Sequence, residues 1–137
     1  MKEKRRTITI GWVSLGLLLL ALVAGCTQQP GQVELSASEY DFGTIPNDKP
    51  VSQTFEVRNV GRGKLEILGV STSCGCTSAE VSQRQLGPGE AAELTVTYDP
   101  LAHDGATGQF MRIVYVRSDD PDVPEATLTV RVTVATS

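Results

Sequence analysis

The sequence predicts an all-β domain in which two antiparallel sheets pack face to face as a sandwich. Three observations lead to this fold class. Segments that alternate apolar and polar residues recur at short intervals, turn residues separate them, and no long window of the body combines a 3.6-residue apolar period with capping residues. About seven such strands in roughly 110 residues are typical of an immunoglobulin-like sandwich.

The first 25 residues are predicted to be a lipoprotein signal peptide. Basic residues cluster in Met1–Arg6, and an almost wholly apolar segment follows from Ile8 to Ala24, which is the layout of a secretory signal. The sequence Val-Ala-Gly-Cys at positions 23–26 resembles the lipobox of bacterial lipoproteins, in which the cysteine receives the lipid. Two alternatives stay open: an uncleaved anchor, although roughly 17 apolar residues barely span a bilayer, and an ordinary secretory signal with an incidental cysteine.

Lipidation of Cys26 would divide the chain into three parts. Residues 1–25 form the signal peptide, residues 26–31 form the lipidated cysteine with a polar tether, and residues 32–137 form the sandwich domain. We therefore expect the protein in the bacterial cell envelope, on the extracytoplasmic side, with lipid on Cys26 binding it to a membrane.

Within the body, alternation and turn residues predict the strands. The second-to-last of them is apolar on both faces, as expected of a central strand, and the last places Leu128, Val130, Val132 and Val134 on one face. The predicted strands are Gln32–Ala37, continued after a kink by Tyr40–Ile45, then Val51–Asn59, Leu65–Ser71, Ala79–Val81, Ala91–Tyr98, Gln109–Ser118 and Ala126–Ala135. The acidic segment 119–122 is interpreted as an Asp-Pro turn and not as a calcium loop.

The composition argues against a nucleic-acid-binding protein, which would normally show a basic face. The net charge is −4, and because residues 1–25 contain four basic residues and one acidic residue, the rest of the chain carries −7. One histidine and three cysteines provide few side chains for a metal site with several ligands or for a histidine-based active site. We therefore predict no catalytic residue, no cofactor and no enzyme activity.

With Cys26 assigned to the lipid, Cys74 and Cys76 are the chemically unusual feature of the domain. An exported protein meets an oxidising compartment in which cysteines pair. A disulfide across a three-residue ring would stabilise the fold by at most about 1.6 kcal/mol through loop entropy, and strain would offset this gain. Such a disulfide would therefore stabilise the domain little and would be easily reduced. Four interpretations stay open: two buried thiols, a labile disulfide with a redox role, a site for a soft metal such as Cu(I), and disulfides to a partner chain.

The histidine extends the metal interpretation. If the strands follow immunoglobulin order, the loops after the third and fifth strands meet at one end of the sandwich, which would bring His103 near Cys74 and Cys76. These three side chains would form a three-ligand site, one ligand short of a structural zinc site; the alternative is that His103 is a solvated loop residue. The same topology places the tether at the opposite end, so a thiol site should point away from the membrane.

Several short segments of the body carry a family resemblance. They are Phe42-Gly43 and residues 55–61, 65–67, 73–77, 86–90, 96–100, 108–110 and 118–121, of which the Ser-Cys-Gly-Cys-Thr motif at 73–77 is the most distinctive. From about Val33 to Val134 the chain resembles the bacterial family known as domain of unknown function 1573, related to the Hydin-like and major-sperm-protein-like branches of the immunoglobulin fold. The resemblance implies an exported sandwich without established activity; it supplies no catalytic residue, and His103 matches no family position.

The sequence therefore favours a non-catalytic, lipid-anchored module of the cell envelope. It would act in binding or structural support of another envelope protein, through a sandwich face or edge strands. The alternative is a thiol-dependent role, either redox exchange or Cu(I) handling, through Cys74 and Cys76.

Overall fold

The computed structural model describes residues 28–137, so the predicted signal peptide and Cys26 lie outside the described residues. Residues 33–135 form nine strands in two packed sheets, and the predicted all-β sandwich is confirmed. The strands are β1 Val33–Leu35, β2 Glu39–Pro46, β3 Val51–Asn59, β4 Leu65–Thr72, β5 Thr77–Val81, β6 Gln85–Leu86, β7 Ala91–Tyr98, β8 Gly108–Ser118 and β9 Glu125–Ala135. One sheet has the order β1-β3-β7-β5 and the other the order β2-β9-β8-β4-β6.

The predicted first strand is divided between the two sheets. β1 pairs with β3 over three residues, whereas β2 pairs with β9 in the opposite sheet. Because the chain keeps its direction across this crossing, the β2–β9 pair is parallel and is the exception in an otherwise antiparallel sandwich. A bulge between Asp41 and Thr44, with Gly43 at φ +72°, interrupts its register. The two-residue strand β6 was not predicted, since two residues show no alternation.

The core forms where the predicted apolar faces of the strands meet. Leu128, Val130, Val132 and Val134 of β9 are all buried, as their alternation predicted. β8 is the middle strand of its sheet, as its sequence predicted, although only one of its faces is covered and Met111 on the other is 55% exposed.

A second, smaller apolar cluster closes one end of the sandwich. This end cluster consists of Ile45, Cys76, Tyr98, Val132 and Val134. It lies where β7 ends and β5 begins, because Tyr98 pairs with Thr77. We call this the cysteine end of the domain.

The described chain enters the domain at the opposite end, which we call the entry end. There the backbone N–H of Gly63 donates to the carbonyl of Pro30, and the N–H of Val60 donates to the carbonyl of Gln32. β7 runs from the entry end to the cysteine end, and its seven steps of about 3.3 Å separate the two ends by about 23 Å.

The acidic segment after β8 forms a bend that links the two sheets. Asp120 is buried, and its carboxylate accepts the backbone N–H groups of Val33 at 2.9 Å, Asp122 at 2.9 Å and Val123 at 3.2 Å. Burial alone would raise the pKa of the Asp120 carboxyl, but the three N–H donors together lower that pKa below its ordinary value.

Replacing Asp120 with asparagine is expected to lower the free energy of unfolding at pH 7 by about 1–3 kcal/mol, because buried N–H groups lose a charged acceptor. A carboxyl whose pKa is depressed in the folded state stabilises the protein above its unfolded-state pKa, about 3.9, and loses this contribution as the pH falls through the folded-state pKa. Urea unfolding measures this at two pH values. The difference in the free energy of unfolding between wild type and Asp120→Asn should be smaller at pH 3 than at pH 7. Asp122→Asn is the control, because Asp122 is exposed in the same bend; an equal cost for both variants would contradict the interpretation.

Candidate functional site

The loop that carries the two cysteines joins β4 to β5 and is fixed by hydrogen bonds at both ends. The hydroxyl of Thr72 donates to the carbonyls of Cys74 at 3.0 Å and Thr77 at 2.7 Å. Ser73 is joined to Ile113 of β8 by two bonds, one through its backbone N–H and one through its hydroxyl oxygen. These contacts hold the short loop against the end cluster.

Cys74 and Cys76 form a disulfide, with a Cα–Cα distance of 5.4 Å. Of the four interpretations left open by the sequence, the structure therefore shows the intrachain disulfide. The two sulfurs have different surroundings, because Cys76 is 2% exposed within the end cluster whereas Cys74 is half-buried. A function for the pair stays a prediction.

His103 is placed by a single turn of 3-10 helix, Pro100–His103, that follows β7. The carboxylate of Asp99 accepts the N–H of Leu101 and caps its start, and Asp104 ends it in the left-handed region at φ 54°. The exposed His103 side chain then reaches the cysteine end, with Nε2 at 3.4 Å from Sγ of Cys74.

The three predicted ligands are thus brought together. The ligand atoms of Cys74, Cys76 and His103 all lie within 4.8 Å of one another, although binding of Cu(I) by them stays a prediction. Because a soft metal binds thiolates, the two sulfurs would become available as a pair only after the disulfide is reduced.

Arg112 is a part of the site that the sequence interpretation missed. It lies on the inward face of β8, two residues before the buried Val114, and its Nε donates to Sγ of Cys76 at 3.0 Å. Its guanidinium lies 5.2 Å from the ring centroid of Phe110, and its Nη1 donates to the carbonyl of Met111. Within residues 28–137 no carboxylate lies within 4.0 Å of it, so the positive charge faces the sulfur without an acidic counterpart. A cation at an inward position of an apolar strand was the signal in the sequence.

Tyr98 is a buried aromatic residue that packs next to the site. It is 1% exposed, belongs to the end cluster with Cys76, and its ring centroid lies 6.3 Å from that of Phe110. Burial raises the pKa of the Tyr98 hydroxyl, Arg112 opposes this effect and Asp99 adds to it, and the net pKa is raised. The phenol therefore stays protonated at neutral pH, and Arg112 supplies a positive charge in contact with Sγ of Cys76.

The lipidation prediction for Cys26 has no structural counterpart, because that residue lies outside the described part of the chain. Among residues 28–137, no helix has the length and apolar character needed to cross a membrane.

A family described as "Protein of unknown function (DUF1573)" matches residues 33–134 of the chain. No curated protein matches the chain significantly.

Solved structures share the fold at low sequence identity. A protein of unknown function from Porphyromonas gingivalis W83 superposes with a TM-score of 0.70 at 24% identity, over 80% of this chain and 50% of its own, so this chain spans half the length of that protein. The ASH/PapD-like domain 7 of human CEP192 has a TM-score of 0.59 at 12% identity, covering 77% of this chain and 86% of that domain. The periplasmic chaperone SfaE has a TM-score of 0.53 at 10% identity, covering 77% and 61%. At these identities the likeness concerns the fold alone.

Proposed function

The chain belongs to the family of proteins of unknown function DUF1573, and we propose that it is a non-catalytic, lipid-anchored module of the cell envelope that binds another envelope protein. The observation that carries this proposal is the edge strand β5. An open strand edge can pair with an extended segment of a second protein through main-chain hydrogen bonds.

The four edge strands of the two sheets differ in how well they could accept a further strand. β1 has three residues and β6 has two, and β2 is interrupted by the bulge between Asp41 and Thr44. Short edges and bulges both hinder further pairing. β5 has five residues, pairs with β7 in unbroken register, and forms the edge of its sheet.

The orientation of the β5 backbone follows from its bonds to β7. The N–H of Ser82, which follows β5, donates to the carbonyl of Glu93 at 2.9 Å. Because successive backbone groups of a strand point to alternate sides, Glu80 and Ser78 also face β7, whereas the N–H and carbonyl of Ala79 face the open edge. An incoming strand would therefore pair with Ala79, three residues after Cys76 of the disulfide.

Ala79→Pro tests this interface. Proline removes the outward N–H of residue 79 without removing a bond between β5 and β7, and its ring is tolerated at such edge positions. The expected result is a roughly fivefold loss of affinity for the envelope partner, equivalent to about one hydrogen bond. The loss is measured by quantitative cross-linking and affinity capture from the protein's own envelope, followed by titration with the captured partner.

Ala79→Ser is the matched control, since it changes the same side chain but keeps the N–H. It should capture the partner as the wild type does. Unfolding curves of both variants establish that the fold is retained. Equal affinity of the Ala79→Pro and Ala79→Ser variants would contradict binding along β5.

The proposed anchor on Cys26 would set the orientation of the domain relative to the membrane. With lipid on Cys26, the short tether of residues 27–31 would lead into the entry end and leave the cysteine end about 23 Å farther from the membrane. Incorporation of a labelled fatty acid into wild type but not into Cys26→Ser, with release of the variant from the membrane fraction, is the expected result. Unlabelled wild-type protein would contradict it.

A second candidate function, thiol-dependent exchange or Cu(I) handling, is favoured by one specific arrangement. Sγ of Cys74 lies 3.4 Å from His103 and Sγ of Cys76 lies 3.0 Å from Arg112, so both sulfurs contact polar side chains. Mass spectrometry of the mature protein, with and without a dithiol reductant and with Cu(I) added, should show reduction of the pair and one bound copper only after reduction. Resistance to the reductant and no copper uptake would contradict this candidate.

The variant Cys74→Ser/Cys76→Ser separates the two candidates. A binding module keeps its cellular function when the sulfurs are lost, provided that fold and abundance are unchanged. Loss of function under those conditions would favour the thiol-dependent role.

A further inference from the structure

The two sulfurs of the disulfide differ in access. Thiol–disulfide exchange begins when a thiolate attacks one sulfur of the bond, and its rate depends on which sulfur can be reached. Cys76 is 2% exposed within the end cluster, whereas Cys74 is half-buried beside the exposed His103. An attacking thiolate from solution would therefore meet Sγ of Cys74.

The two sulfurs also differ in their ability to leave as thiolates. Nε of Arg112 donates to Sγ of Cys76 at 3.0 Å, and a nearby cation stabilises a thiolate. In the described part of the chain no carboxylate within 4.0 Å shares that guanidinium. Sγ of Cys74 has the backbone N–H of Cys76 at 3.0 Å and Nε2 of His103 at 3.4 Å, whereas Sγ of Cys76 has the full charge of a guanidinium. Since a more stable thiolate leaves faster, the position of Arg112 favours departure of Cys76.

We propose that reduction of the Cys74–Cys76 disulfide is selective for one sulfur. The reductant attacks Cys74, Cys76 departs as the thiolate, and Arg112 sets this direction of attack. The inference rests on the thiol-dependent candidate function. The reductant is a dithiol of the thioredoxin class or a small thiol such as glutathione.

Reduction of the disulfide takes two successive exchanges. The thiolate of the reductant forms a bond to Sγ of Cys74, the Cys74–Cys76 bond breaks, and its electron pair stays on Sγ of Cys76 beside Arg112. The second thiolate of a dithiol reductant, or a second molecule of glutathione, then attacks the reductant's sulfur in the mixed disulfide. The reductant becomes a disulfide, and Cys74 leaves with the electron pair and takes a proton from solvent. Two electrons have passed from the reductant to the protein.

The test traps the mixed disulfide on the full mature protein with reduced glutathione, followed by rapid alkylation with N-ethylmaleimide and peptide mass spectrometry. The expected product carries glutathione on Cys74 and the alkyl group on Cys76. Glutathione on Cys76, or equally on both residues, would overturn the proposed direction while leaving exchange itself intact. No reaction of the wild-type disulfide would overturn both this inference and the thiol-dependent function.

Variants of Arg112 test its role separately. Arg112→Gln should slow reduction by glutathione roughly tenfold and lower the preference for Cys74, because the leaving thiolate loses its cation, and Arg112→Lys should restore part of the rate by restoring the charge. Arg117→Gln is the matched control, since Arg117 is an exposed arginine of the same strand, and it should react at the wild-type rate. An Arg112→Gln variant that is folded and reacts like Arg117→Gln would overturn the role of Arg112.

Discussion

Replacing Asn59 with alanine is expected to lower the free energy of unfolding by about 3–5 kcal/mol, a large share of the stability of a domain of this size. Asn59 is fully buried, and its side-chain amide makes four hydrogen bonds to backbone groups. Its Oδ1 accepts the N–H groups of Gln32 at 3.0 Å and Gly61 at 2.9 Å, and its Nδ2 donates to the carbonyls of Gly63 at 2.8 Å and Leu86 at 3.0 Å.

The cost is large because these four backbone groups belong to three separate segments. Asn59 joins the entering chain, the turn between β3 and β4, and strand β6, and alanine would leave these groups without their partner. Urea unfolding monitored by circular dichroism measures the effect. Asn47→Ala is the control, since Asn47 makes the same kind of bond to a backbone carbonyl in a half-buried turn; an equally small loss for both variants would contradict the interpretation.

Replacing Tyr98 with alanine is expected to lower the free energy of unfolding by about 3–5 kcal/mol, because an aromatic side chain is removed from a packed site and leaves a cavity. Tyr98 is 1% exposed and contacts the end cluster that contains Cys76. The same cavity would loosen the support of the cysteine loop, so reduction of the disulfide by glutathione should become faster. The measurements are thermal unfolding and the rate of thiol release.

Tyr98→Phe isolates the contribution of the ring. It keeps the aromatic packing and removes only the hydroxyl, so its stability and reduction rate should lie close to those of the wild type. A Tyr98→Phe variant as unstable as Tyr98→Ala would show that the hydroxyl, and not the packing, is responsible.

The sequence was sufficient to predict those parts of the fold that depend on local alternation. The inward residues of β9 follow from the period of its apolar residues, because a strand exposes alternate side chains to the core. The central position of β8 follows from the apolar residues on both of its faces. The division of the first strand between two sheets could not be predicted in the same way. Its partner β9 lies about 90 residues farther along the chain, and alternation within a strand does not say which strand it pairs with.

The site shows the same division between local and long-range information. Cys74 and Cys76 are two positions apart in the sequence, and His103 could be placed with them because loop positions in a sandwich follow from strand order. Arg112 and Asn59 escaped functional or structural interpretation because partners of both lie in other segments. Asp120 was interpreted only as part of a turn, because its bond to Val33 spans 87 residues. Each of the three is a polar residue at an inward position, and a buried polar group has to find a partner.

The parallel pairing of β2 with β9 has a mechanical consequence. The described chain begins at the entry end, and β9 ends at the cysteine end after Ala135. A pull between the two termini would first peel away the three residues of β1 and then slide β2 against β9 along their common axis. All the hydrogen bonds between these two strands would carry that load at once, so the domain should resist extension by shear far better than a hairpin that opens one bond at a time.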